Sequence, residues 1–201
     1  MRAARYMGQL SALLFNHPAR PLYGVELIGE MAPPKSSLFN FSEKNTLMFA
    51  GITVTDVGVD GKVRINMPIT MYQTNEFGDE SAAYLLVNTV AQLGRLRDEL
   101  SSVINSRIMA IRPILVNDGT EIDDAVPHVT PRSIKATLIG HYEYLQSFGL
   151  VESLEEFERR LQVSKSPNDA FRANVVYQPD LSNPLYVLAT KIEFELDFRT
   201  Y

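Results

Sequence analysis

The sequence predicts an α+β fold in which a β-sheet packs against helices and the chain closes in an extended strand. Three observations carry this reading. Residues 80–106 repeat apolar side chains at helical spacing. Residues 52–57 and 63–67 are β-rich runs that face each other across Asp60-Gly61. Residues 185–198 alternate in polarity with neither Gly nor Pro among them. One domain over 1–201 is expected, divided into a leading helix (1–17), a hairpin (47–68), a core (79–189) and a C-terminal arm (190–201).

Taken in order, residues 3–16 place Tyr6, Leu10, Leu13 and Leu14 on one helical face. His17-Pro18 ends that helix, because proline disfavours helical geometry in the residue before it. Pro21, Pro33 and Pro34 make 18–40 read as loop. In the long helix, Leu86, Val90, Leu93, Leu96, Leu100 and Val103 form the expected buried stripe. Asn88, Gln92, Arg95, Glu99 and Ser102 are expected to face away, with Asp79 or Ser81 as the cap. Residues 113–129 read as an acidic connection. Thr130-Pro131 then opens a second helix whose stripe is Ile134, Leu138, Tyr142 and Leu145, and Gly149 ends it. Ser153-Leu154-Glu155-Glu156 has capping-box spacing for a short helix to about residue 161. Strands over 171–177 and 185–198 close the chain.

Composition removes several function classes. There is no cysteine, so disulfides, thiolate nucleophiles and zinc–sulfur sites are excluded. The net charge is −5 and the basic residues are scattered, as where Arg95 and Arg97 stand beside Asp98 and Glu99. A nucleic-acid partner is therefore not expected, since such proteins carry a basic stripe. No apolar run approaches the ~20 residues of a membrane-spanning helix, and the opening residues do not read as a signal peptide.

Catalytic chemistry is equally hard to place. His17, His128 and His141 lack a nucleophile partner in any recognisable motif, and no P-loop, G-x-S-x-G or H-E-x-x-H is present. Asp118, Glu121, Asp123, Asp124 and His128 carry enough oxygen ligands for Ca²⁺ or Mg²⁺ and define a metal-dependent enzyme as the rival reading. Their spacing does not fit an EF-hand, so a solvated acidic loop is the better account. No catalytic residue, metal ligand or cofactor is assigned.

The final run is the most informative feature. Tyr186, Leu188, Thr190, Ile192, Phe194, Leu196 and Phe198 share one face. On the other, Leu185, Val187 and Ala189 give way to Lys191, Glu193, Glu195 and Asp197. The first half has the look of a central strand buried on both faces, and the second that of a half-buried strand at the free end. Fully extended, the run reaches roughly 45 Å, beyond an ordinary strand. Two readings stand: a long strand bent within its own domain, which is the ordinary case, or a terminal half that completes a neighbour's sheet.

The chain also resembles the C-terminal half of Mu-like bacteriophage contractile tail sheath proteins. The segments that carry the resemblance include Pro18-Ala19-Arg20-Pro21-Leu22, Gly61-Lys62-Val63-Arg64-Ile65 and Ile69-Thr70-Met71-Tyr72-Gln73-Thr74-Asn75. Tyr84-Leu85-Leu86-Val87-Asn88-Thr89, Val129-Thr130-Pro131, Gly149-Leu150-Val151-Glu152 and Asn183-Pro184-Leu185-Tyr186-Val187-Leu188-Ala189 continue it. Their order and spacing, more than any one of them, make it specific.

The resemblance implies a structural, non-enzymatic subunit that polymerises helically around an inner tail tube. Contraction of such a sheath drives the tube through the host envelope and serves genome ejection. The implied partners are other sheath subunits and the tube protein, in a virion tail assembled in the bacterial cytoplasm, without membrane insertion. A tailocin or another contractile injection device would use the same part. Family members are longer, so a fragment of a sheath protein is expected, with an unusually short natural sheath as the less favoured alternative. Thr190, Ile192, Glu193, Phe194, Glu195, Leu196, Asp197 and Phe198 occupy the position of the inter-subunit strand.

Overall fold

A computed structural model of the chain describes residues 2–193 and has the expected α+β character. Helix α1 (Arg2–Asn16) buries Leu10 and leaves Met7 and Phe15 exposed, and His17 N–H closes its last turn onto Leu13 O at 3.1 Å. Its apolar face lies on a three-stranded antiparallel sheet of order β1-β3-β2, made of β1 (Glu26–Met31), β2 (Thr55–Val57) and β3 (Lys62–Ile65). Leu10, Leu22, Leu27, Val63 and Ile65 are the buried centre of this first core.

The β2–β3 hairpin forms with Thr55 opposite Ile65 and Val57 opposite Val63. Asp60 holds the turn: its carboxylate accepts from both Arg64 guanidinium nitrogens, at 2.9 and 2.6 Å. Those hydrogen bonds draw its pKa down to about 2.

Two elements lie where a loop or nothing regular was expected. β1 falls inside 18–40; Gly29, at φ +75°, interrupts it and its register with β3 shifts, so no alternation was there to read. Helix α2 (Phe41–Phe49) buries no residue and therefore shows no stripe; a capping box between Asn40 and Glu43 holds its start.

The long helix begins later than expected. Asn75 Oδ1 accepts from the N–H groups of Phe77 and Asp79, so the residues leading into the expected start close into a turn instead. Neither Asp79 nor Ser81 caps: α3 runs over Val87–Val103 from Leu86 and continues as a π-helical turn, Ile104–Met109. Its buried face is Asn88, Gln92, Leu96 and Val103, while Val90 is exposed. Asn88 and Gln92, expected to face away, are buried because both amides find buried main-chain partners, and Val90 of the expected stripe is exposed; Leu93 is half-buried and Arg95 faces solvent as expected.

The second core is larger. A short parallel pair, β4 (Ile114–Leu115) and β5 (His128–Val129), leads into α4 (Pro131–Ser147). Thr130 caps α4 through a capping box with Ser133, and Ile134, Leu138, Tyr142 and Leu145 are buried as expected. β6 (Val151–Glu152), α5 (Leu154–Arg160), β7 (Gln162–Lys165), β8 (Ala173–Val176) and β9 (Asp180–Leu181) follow; β6 pairs with β9, and β7 with β8, antiparallel. Ser153 precedes α5 in the left-handed conformation, φ 59°, and makes no side-chain cap, so the expected capping box there does not form. The Tyr142 and Phe157 rings stack at 3.7 Å between centroids, with Tyr177 edge-on to Phe157 at 4.9 Å.

Residues 185–193 are not a strand within this chain. Among the described residues no backbone hydrogen bond pairs them, and Leu185, Val187 and Leu188 are 67%, 79% and 80% exposed rather than buried on two faces.

Candidate functional site

The chain leaves its second core through β9, whose Asp180 stands opposite Glu152. Tyr142 fixes this exit: its hydroxyl donates to Glu152 O at 2.6 Å and accepts from Asp180 N–H at 3.1 Å. Burial raises the pKa of that hydroxyl, as expected for a phenol enclosed by main chain. Ser182 N–H then donates to Leu150 O at 3.2 Å.

Beyond Ser182 the segment is held by side chains of α3 instead of by a strand. Gln92, 3% exposed, donates from Nε2 to Ser182 O at 2.8 Å. Asn88, fully buried one turn earlier, accepts from the Tyr186 hydroxyl at 2.6 Å. Its Nδ2 meanwhile donates to Pro18 O at 2.7 Å and Arg20 O at 2.9 Å. An amide can be buried at this depth only when its hydrogen-bonding groups are met. Asn88 uses three of its four.

The expected site residues follow this anchor. Thr190, Ile192 and Glu193 are exposed and carry no secondary structure; Ile192 is 87% exposed and Lys191 pairs with Glu193. Phe194, Glu195, Leu196, Asp197 and Phe198 lie outside the described residues. Exposed apolar side chains gain from burial, and a solvated backbone with no intramolecular partner is available to pair. A sheet edge offers both together.

The acidic connection is occupied with its own folding. Asp118 Oδ1 accepts from Arg132 N–H at 3.0 Å in the first turn of α4, and that bond holds its carboxyl below the usual range. Asp123 accepts from Ala125 N–H at 2.9 Å, and His128 Nδ1 meets Val126 O at 2.8 Å. Glu121 and Asp124 are exposed. Among the described residues no three His, Asp or Glu side chains converge as a metal site would require.

Of the other histidines, His17 joins the two cores, its Nε2 lying 2.8 Å from Phe148 O at the end of α4. His141 is packed between α3 and α4, and burial lowers its pKa. Sequence reasoning missed Asn88, Gln92 and Tyr186. Stepping back from Leu96 by four residues twice reaches Gln92 and then Asn88, but Leu93 and Val90 lie at helical spacing from Leu96 as well, so spacing alone does not choose between the two faces.

No family model matches the chain. It is 34% identical over 195 residues to a Mu-like prophage FluMu tail sheath protein of Haemophilus influenzae, a match that covers 96% of this chain and 39% of that protein. The chain therefore spans about two fifths of the relative's length. Among solved structures, the crystal structure of a sheath tail protein from Desulfitobacterium hafniense superposes with a TM-score of 0.52 at 10% identity, over 82% of this chain and 37% of that one. At that identity it bears on the fold alone. The likeness to the C-terminal portion of a Mu-like tail sheath protein holds over nearly the whole chain.

Proposed function

We propose that this chain, matching as it does part of a Mu-like tail sheath protein, is the structural portion of a contractile tail sheath subunit. It assembles helically with other copies around the inner tail tube, and the contracting sheath drives that tube through the host envelope. Its place is the virion tail, assembled in the bacterial cytoplasm. A tailocin or another contractile injection device would use the same assembly.

The observation that carries this reading is the segment 185–193, whose apolar side chains are exposed and whose backbone is unpaired. It runs on into the alternating sequence that ends at Phe198. Added to the sheet edge of a second copy, Thr190, Ile192, Glu193, Phe194, Glu195, Leu196, Asp197 and Phe198 would form a strand. Each main-chain bond so made contributes about 0.5–1.5 kcal/mol. Bonds loaded together along a strand let pulling force pass between subunits that otherwise move as rigid bodies.

The test is deletion of residues 190–201 in the sheath gene, with particles imaged by electron microscopy. Loss of ordered tubes, with the remaining fold retained by circular dichroism, is expected. Tubes of normal length and order would refute the linkage.

A further inference from the structure

We infer that Asn88 and Gln92 are positioning residues that root the C-terminal segment on α3 and set where the arm becomes free. This rests on the reading of residues 190–201 as an arm. The two amides are one helical turn apart on one face of α3 and grip two points four residues apart, Ser182 O and the Tyr186 hydroxyl. Both amides are enclosed by protein. Displacing the segment leaves a buried acceptor on Asn88 and a buried donor on Gln92 without partners, so the gripped geometry is strongly favoured over neighbouring ones.

The chemistry of the two ends differs. Tyr186 is half-buried, its hydroxyl pKa raised by burial, and it points inward, while Leu185 and Val187 on either side point to solvent. After Val187 no side chain of the described segment reaches the body of the protein through a hydrogen bond. Tyr186 is therefore the last fixed point, and the arm pivots at Val187.

Asn88 has a second attachment. By holding Pro18 O and Arg20 O it ties the same pivot to the turn that follows α1. A shift of α1 on α3 is therefore felt at the root of the arm, which makes the root part of the rigid body.

Limited chymotrypsin digestion of the 201-residue chain tests this, because cleavage needs local opening of the chain around the cut. In the wild type, rapid cleavage after Leu188 and protection after Leu185 and Tyr186 are expected. Gln92→Met and Tyr186→Phe each keep side-chain size while removing one donor. Combined, they are expected to raise cleavage after 185 and 186 by roughly five- to thirty-fold. Cleavage after Phe157 in the second core should stay unchanged. Equal wild-type rates at 185 and 188, no change in the variant, or a parallel rise at Phe157 would each overturn the inference. Because no assembled tube is needed, the clamp and the sheath reading fail or stand separately.

Discussion

Replacing Tyr142 by Phe isolates the bonds that fix the exit of the C-terminal segment from the second core. The ring, fully buried against Phe157 at 3.7 Å, is kept, so packing is untouched. What is lost is a donor to Glu152 O at 2.6 Å and an acceptor for Asp180 N–H at 3.1 Å. Each lost bond costs about 1 kcal/mol net, and the enclosed main-chain groups left behind raise this, so about 2–3 kcal/mol of destabilisation is expected. Tyr142→Ala would also empty the stack and cost about 3–5 kcal/mol or more. Urea unfolding followed by circular dichroism reads both losses, and thermal melts of a chain of this size should show the Phe variant lower by about 4–12 °C. A Phe variant within about 0.5 kcal/mol of wild type would show that water replaces the hydroxyl freely, and the reasoning would be wrong.

Two further outcomes follow from particular residues. His141 is favoured in its neutral form because burial, with a contribution from Arg107 and against the pull of Glu99, lowers its pKa. Below its unfolded pKa, near 6.5, the unfolded chain takes up a proton that the folded one resists, so the urea midpoint should fall from pH 7.5 to 5.5. His141→Gln should reduce that slope; an unchanged slope assigns it elsewhere. Gly51 and Gly119 share a left-handed backbone, φ +77° and +79°, but a Cβ at Gly51 would lie 3.0 Å from Met71 Cα whereas one at Gly119 meets open space. Both Ala variants should lose about 1 kcal/mol for the backbone, and Gly51→Ala clearly more; equal losses in denaturant titration would contradict the packing of 51 against 71.

What could be read from the sequence was whatever a periodic pattern or a local turn signal announces. α1, α4 and the hairpin were legible because Leu10, Leu138 and Asp60-Gly61 each obey a rule that needs no tertiary knowledge. α2 was hidden because its side chains bury nothing, leaving Asn40-Phe41-Ser42-Glu43 as the only signal. The face of α3 was misread for the opposite reason. Polar Asn88 and Gln92 are buried by carbonyls that come from residues 18, 20 and 182, and nothing local to the helix records those partners. The terminal segment shows the same limit: its alternation announces a strand, and residues 185–193 form none with the sheets of this chain.

That α3 buries amides in its first half and Leu96 and Val103 in its second has a mechanical consequence. The apolar half belongs to the second core, where the driving force for burial is non-directional. The amide half is directional: Asn88 and Gln92 are satisfied in one arrangement of the turn after α1 and of residues 182–186, and in few others. His17 Nε2 at Phe148 O adds a further directional tie between the two cores. On the arm reading proposed above, a load applied at residues 190–193 would reach Tyr186 first and pass through Asn88 into α3 and the turn after α1, so that both cores would share it. In the proposed sheath subunit, such a junction would let a pull on the arm act on the body as a whole. Rooted instead on β9, a pair two residues long, the arm would peel that strand before it moved the body.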